Sequence, residues 1–224
     1  MSIIRLASVT KKIILAVIGL FLAVFLAVHL AINLCLLRDD SGLWFNAAAH
    51  FMRSNYIVNV IEIVLLAAVA LHILLAIVIQ IDNWKARPVR YKVRSKTKTK
   101  TGSKWMIWTG SLMLCFIAIH LINFLAMRWM WVEPIRLPNG DPDRYDIVHQ
   151  LFGNGYVVIG YVVCLLAVGI HLNHAIFSAL QTLGVAHPKY DKAIRILSTG
   201  YAVVIAGGFT LIPLWIYCSS LMHF

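Results

Sequence analysis

Five long apolar stretches dominate this 224-residue chain. A helix needs about 20 mostly apolar residues to cross the hydrocarbon core of a bilayer. With 61% hydrophobic and 13% charged residues, the chain lacks the polar surface of a soluble domain, where about 25% of residues are charged. The pattern therefore predicts an all-α integral membrane protein, with residues 1–224 forming one membrane domain. The five predicted spans are 13–37, 57–81, 105–131, 156–183 and 194–218.

Lysine and arginine are distributed unevenly between the ends of these spans. The N-terminus, the second connection and the fourth connection with the base of the fifth span carry 15 of the 20. Because cytoplasmic segments carry the excess, the sequence predicts a multi-pass protein of the cytoplasmic (inner) membrane with its N-terminus inside and its C-terminus outside. The basic segment 85–104 is expected to be a cytoplasmic loop that attracts anionic lipid or, alternatively, docks a soluble partner.

The net charge of +11 is thus interpreted as a topology signal, and no nucleic-acid partner is expected. The four cysteines stand singly in apolar stretches, without a C-x-x-C or C-x-x-C-H motif. This pattern argues against a zinc site, covalently attached haem, an iron–sulfur cluster and a disulfide framework.

Histidines inside the predicted spans are the strongest functional signal. Ionisable side chains are costly in the bilayer interior and normally face other helices or a cofactor. A single membrane histidine often does no more than hydrogen-bond a neighbouring helix, but histidines on four helices favour a shared site. The first four spans carry them and the fifth has none, the residues being His29, His72, His120, His171 and His174.

The depths of these histidines indicate two levels in the membrane. At 1.5 Å per residue, His29 and His120 lie about 26 and 24 Å from the cytoplasmic ends of their spans. His72 and His171 lie about 15 and 18 Å from the same side. Each level therefore has one histidine from each of two helices, although spacing alone leaves His171 and His174 as alternatives.

Two imidazoles at one depth can occupy both axial positions of a haem iron, and a filled coordination sphere favours electron transfer over oxygen activation. Small residues flank the candidates and would allow a flat cofactor to approach the helices closely. The sequence thus predicts two noncovalent b haems in a four-helix core, with a fifth, peripheral helix packed alongside.

Four stretches around these histidines form a joint motif. They are Phe25-Leu-Ala-Val-His29-Leu, Ala70-Leu-His72-Ile-Leu, Ala118-Ile-His120-Leu and the sequence HLNHAIFSALQTLG over residues 171–184. Together with the number and polarity of the spans, they resemble the cytochrome b subunit of the succinate dehydrogenase/fumarate reductase family. The match is to its five-helix, single-polypeptide, di-haem form, related to cytochrome b558, and it covers essentially the whole chain.

The resemblance assigns the iron ligands. In the family, the fourth-helix ligand precedes a small residue by four positions and a glycine by thirteen, which selects His171 and leaves His174 as a neighbour. By resemblance, His72 and His171 hold the haem nearer the cytoplasm, and His29 and His120 hold the haem nearer the outside. This assignment agrees with the depth estimate.

The resemblance also implies an assembly that works in the tricarboxylic acid cycle and the respiratory chain. A flavoprotein subunit handles succinate or fumarate, an iron–sulfur subunit relays electrons, and this chain anchors both on the cytoplasmic side and exchanges electrons with quinone. The chain itself has no dinucleotide fingerprint and no iron–sulfur cysteine run, so no dicarboxylate site is expected in it. The direction of catalysis, the choice of menaquinone or ubiquinone, and a higher oligomer of the complex are left open.

Quinone chemistry needs a proton donor or acceptor, and Glu62 is the sole carboxylate inside a predicted span. It is the candidate for quinone protonation, with His50 and Arg53 just before its span; a structural hydrogen bond is the alternative. In menaquinol-oxidising members of the family, a carboxylate two residues before the fourth-helix ligand takes part in proton transfer. Gly169 occupies that place here, so no such path through this residue is expected.

The histidine pattern also fits two other functions. The chain could be the cytochrome b anchor of another respiratory dehydrogenase, although those commonly carry two ligands on one helix. It could also be a transporter or proton channel whose histidines relay protons or bind a metal, which predicts a colourless protein.

Overall fold

The computed structural model describes residues 7–85, 100–125, 135–138, 140–185 and 187–222. A 3-10 helix, Leu34–Leu37, continues the first α-helix. The α-helices are α1 (Ser8–Asn33), α2 (Leu43–Ser54), α3 (Tyr56–Lys85), α4 (Lys100–Leu125), α5 (Arg144–Phe152), α6 (Gly155–Thr182) and α7 (Asp191–Met222).

Five of these helices are long and apolar enough to cross a membrane. They are α1 with its 3-10 extension, α3, the part of α4 from Trp105 to Phe124, α6 and α7. The all-α fold with five membrane-spanning helices is thereby confirmed, and the chain is a multi-pass membrane protein. Residues 126–131 of the predicted third span and residues 86–99 of the basic segment lie outside the described residues.

Four of the spanning helices form an incomplete ring. Within the described residues, α1 packs against α3 and α6, and α6 packs against α4, whereas α3 and α4 make few direct contacts with each other. The order around the ring is therefore α3, α1, α6, α4, which leaves α1 and α4 on one diagonal and α3 and α6 on the other. The fifth spanning helix, α7, lies alongside α1 and α6.

An ion pair fixes the relative direction of α1 and α3. The ammonium Nζ of the buried Lys11 lies 2.6 Å from Oδ2 of Asp82. The start of α1 and the end of α3 therefore lie at the same end of the bundle, called here the first end. The opposite, second end carries α2 and α5, which pack against each other.

The two short helices at the second end are joined by the buried side chain of Asn46 in α2. Its Nδ2 donates to Oδ1 of Asp143 at 2.9 Å, and its Oδ1 accepts from the backbone N–H groups of Arg144 and Tyr145 at 2.9 and 3.2 Å. Asp143 also caps α5 by accepting from the backbone N–H of Asp146. Neither helix was predicted from the sequence, and together they form a small cap over the second end.

Candidate functional site

His29 of α1 and His120 of α4 meet across one diagonal of the bundle. Their ring centres are 6.0 Å apart and their planes make an angle of 89°. Metal–imidazole bonds are about 2 Å long, so two rings that bind one ion from opposite sides have centres about 6 Å apart. The structure therefore brings together the first pair predicted from depth, at a separation that suits two ligands of a single metal ion.

Aromatic side chains surround this pair. Phe25 stacks on His29 with ring centres 5.3 Å apart, and Phe209 of α7 lies 5.4 Å from the same ring. Phe116 and Phe124 flank His120 at 5.7 and 4.9 Å. These four rings form an apolar part of the lining, and they include a residue of the fifth spanning helix that was not among the predicted site residues.

His72 of α3 and His171 of α6 belong to the other diagonal and lie within electrostatic range of each other. Glycines of the other two helices face this second pair. A Cβ placed on Gly19 of α1 would lie 3.6 Å from Cε1 of His72, and one on Gly110 of α4 would lie 3.7 Å from Cε1 of His171. The second predicted pair is thus also brought together, and each of its rings lies beside a glycine of a neighbouring helix.

The same two glycines show that the pairs occupy separate levels. Gly19 precedes His29 by ten residues on α1, and Gly110 precedes His120 by ten residues on α4. Ten helical residues correspond to about 15 Å, so the His72–His171 level lies about 15 Å nearer the first end. This glycine-to-histidine spacing is repeated in the sequence but was not among the sequence predictions.

The Nδ1 atoms of the four rings have different surroundings. Nδ1 of His171 lies 3.2 Å from Oγ1 of Thr109, and Nδ1 of His29 lies 3.4 Å from the amide Nδ2 of Asn33, which donates to the His29 carbonyl at 2.8 Å. Nδ1 of His72 and Nδ1 of His120 are buried without a hydrogen-bond partner among the described residues. Each pair therefore combines one ring that has a polar neighbour at Nδ1 with one that does not.

His174 has a different environment from His171. It is half-buried and within electrostatic range of Arg195 near the start of α7. The Arg195 guanidinium lies 3.9 Å from the ring centre of Phe177 and pairs with Asp191 at 3.2 Å. His174 thus lies beside a basic group near the first end, while His171 faces α4.

Glu62 is half-buried on α3, ten residues before His72. That spacing, about 15 Å, puts it near the level of His29 and His120. Nδ1 of His50, a residue expected beside it, lies 3.0 Å from Oδ2 of Asp141.

Gly169 packs directly against α7. A Cβ at this position would lie 2.9 Å from Cβ of Ala206, so the α6–α7 contact leaves no room for a carboxylate side chain. This contact gives a steric reason for the glycine at the position where some members of the resembled family carry an acid.

Tyr161 is a further residue near the His29–His120 level that the sequence analysis missed. It precedes His171 by ten residues, and its ring centre lies 6.4 Å from that of His120. Its hydroxyl accepts a hydrogen bond from Nδ2 of Asn123 at 2.9 Å, and its ring contacts Phe152 of α5 edge-on at 5.0 Å. Tyr161 therefore connects the cap at the second end to the histidine pair.

The cap itself carries ionisable groups that its packing perturbs. Burial lowers the pKa of His149, while the carboxylates of Asp146 and Asp143 act in the opposite direction. The His149 ring lies 4.0 Å from that of Tyr145, and its Nε2 is buried without a partner among the described residues. Burial, assisted by nearby carboxylates, raises the pKa of Tyr145.

No group of three or more His, Cys, Asp or Glu side chains suited to a metal ion occurs in the part of the chain that the structure describes. No family model, curated protein or solved structure matches the chain.

Proposed function

We propose that the chain is the di-haem cytochrome b anchor of a succinate:quinone oxidoreductase, a succinate dehydrogenase or fumarate reductase. One observation carries the proposal: four membrane histidines form two pairs, one on each diagonal of the helix ring, at two levels about 15 Å apart. Two opposed imidazoles on separate helices are the arrangement that a bis-histidine haem requires.

Three features of the structure fit haem binding, one at each histidine pair and one between α3 and α4. The 6.0 Å separation of the His29 and His120 rings suits two ligands of one iron. Gly19 and Gly110 keep side-chain bulk away from His72 and His171. Few contacts join α3 and α4, so this side of the ring can widen around a large flat group.

A b haem between two imidazoles supplies one-electron transfer, without an open position for oxygen chemistry. The chain contributes the four ligands, holds them on rigid helices, and excludes water with the aromatic side chains around His29 and His120. The site that His72 and His171 would hold lies nearer the first end, where the partner subunits would dock. The site that His29 and His120 would hold lies nearer the second end, where quinone would bind.

The motifs around the histidines support cytoplasmic flavoprotein and iron–sulfur partners and either menaquinone or ubiquinone as the substrate. The distribution of lysine and arginine supports an N-terminus on the cytoplasmic side. Glu62 lies near the level of the His29–His120 pair and is the group proposed to exchange protons with quinone.

The first test is a reduced-minus-oxidised visible spectrum of the purified complex, with haem counted per polypeptide. Two b haems per chain that succinate reduces or fumarate reoxidises are expected. Two haems that respond to neither dicarboxylate would move the chain to another respiratory dehydrogenase. A protein without haem would contradict the cytochrome assignment and favour a transporter or proton channel.

A second test addresses Glu62. Glu62→Gln removes the titratable carboxyl group but keeps the size of the side chain, and general acid–base groups typically contribute about 10²- to 10⁴-fold to rate. Quinone turnover should fall by at least about 100-fold, while both haems stay reducible through the iron–sulfur partner. Unchanged turnover would remove Glu62 from the quinone site.

A further inference from the structure

Thr109 of α4 has an unusual place among the buried polar side chains. Four polar or charged residues are buried in the described part of the chain, and Thr109 alone among them hydrogen-bonds to one of the paired histidines. Its Oγ1 lies 3.2 Å from Nδ1 of His171, although 62 residues separate the two in sequence. A polar contact between helices at this depth needs an explanation, because hydroxyl groups are costly to bury unless they are bonded.

The direction of this hydrogen bond follows from the other contacts of the hydroxyl. Oγ1 of Thr109 lies 2.9 Å from the carbonyl oxygen of Trp105 and 3.2 Å from that of Met106. A helical threonine commonly donates its single hydrogen to such a carbonyl one turn back. The hydroxyl oxygen then has lone pairs free to accept, so the hydrogen between Thr109 and His171 belongs to the imidazole.

We propose that Thr109 is a positioning residue that accepts a hydrogen bond from Nδ1–H of His171 and so leaves the Nε2 lone pair free to bind iron. The inference rests on the proposed function, because it concerns the ligand atom of the haem site. A neutral imidazole carries one N–H, so holding the hydrogen at Nδ1 selects the tautomer whose Nε2 can ligate. Accepting that hydrogen also makes the ring a more basic ligand, which favours the oxidised iron.

The effect should be confined to one of the two levels. Nδ1 of His72, the partner of His171, has no hydrogen-bond partner among the described residues. Thr109 is therefore the polar contact that sets the basicity of a ligand at this level. A change at Thr109 should shift the reduction potential of the haem at His72 and His171 and leave that of the haem at His29 and His120 unchanged.

The test compares three variants in the assembled complex. Thr109→Val removes the hydroxyl at nearly constant volume, and Thr109→Ser retains it. Thr210→Val is the matched control, because Oγ1 of Thr210 is buried on α7 without a partner among the described residues. A redox titration should show the potential of one haem raised in Thr109→Val, by about 59 mV for each tenfold loss of preference for the oxidised iron. Both other variants should titrate like the wild type.

Two results would overturn the inference. One is that Thr109→Val and Thr210→Val have the same potentials, and the other is that both haems of Thr109→Val shift equally, which would indicate general loosening of the bundle. Nitrogen-15 NMR of histidine-labelled protein tests the bond without haem, with the His171 signal identified by its loss in His171→Ala. The Nδ1–H tautomer is expected in the wild type and not in Thr109→Val. If the wild type lacks haem but shows this tautomer, the proposed function fails while the hydrogen bond stands.

Discussion

Replacing Asn46 by alanine should release α5 from the cap at the second end. The Asn46 side chain is 9% exposed and makes three hydrogen bonds that connect α2 to the start of α5. Two of its partners, the backbone N–H groups of Arg144 and Tyr145, belong to the first turn of α5 and have no acceptor within their own helix. Alanine keeps the helix propensity of α2 high, so the change acts mainly on these bonds.

The three hydrogen bonds of Asn46 set the size of the effect. A hydrogen bond within a protein stabilises it by about 1 kcal/mol net, so the three bonds of Asn46 contribute about 3 kcal/mol. At about 1.4 kcal/mol for each factor of ten, local opening of α5 should become more than about 100-fold more frequent. The five membrane-spanning helices do not depend on these bonds, so the loss should be local.

Hydrogen exchange followed by mass spectrometry measures this opening directly. Peptides that cover α5 should exchange about 100-fold faster in Asn46→Ala, while peptides from the middle of α6 and α7 should be unchanged. Asn59→Ala is the matched control, because Asn59 donates one exposed hydrogen bond, to the carbonyl of Arg53 at 3.1 Å. Equal exchange of α5 in the two variants would refute the argument that Asn46 holds the cap together.

Three further variants test other parts of the structure. His72→Ala should lose one haem per chain and retain the other, as counted by haem extraction; retention of two would contradict its assignment as a ligand. Gly169→Ala should lower the unfolding temperature in detergent, because its Cβ would lie 2.9 Å from that of Ala206 and overpacking costs about 1–3 kcal/mol. Gly160→Ala, with no atom within 4 Å of its Cβ, is its control. Burial lowers the pKa of His149, so just below its ordinary value of about 6.5 the unfolded segment takes up a proton more readily than the folded one. The free energy of opening α5 should therefore fall with decreasing pH. Hydrogen exchange, corrected for the pH dependence of amide exchange itself, should give an opening free energy that varies less with pH in His149→Phe.

The spanning helices and the pairing of the histidines were accessible from the sequence because both depend on helical periodicity and length. A long apolar segment has few alternatives to a helix in a bilayer, where backbone groups must be bonded internally. Depth then follows from the constant rise per residue, which is why His29 and His120 could be matched although 91 residues separate them. The positions of the histidines in the sequence were sufficient for this match.

The cap could not be predicted in the same way. α2 and α5 have only 12 and 9 residues, too few for a clear periodic signal, and they are held by contacts distant in sequence. The hydrogen bond from Asn46 to Asp143 joins residues 97 positions apart. Thr109 was missed for a related reason, since threonine is common in membrane helices and its role depends on facing His171 across the α4–α6 interface.

The repeated spacing of ten residues relates the two levels to each other. On α1 and α4 a glycine precedes the histidine by ten positions, so these helices present backbone at one level and a ligand at the other. On α3 and α6 the residues at the same offset are Glu62 and Tyr161. At the level near the first end, α1 and α4 therefore place a glycine beside each histidine, whereas near the level at the second end α3 and α6 carry a carboxylate and a phenol. If the chain exchanges electrons with quinone as proposed, the associated proton exchange is expected at the second end, because Glu62 and Tyr161 lie near the level of His29 and His120.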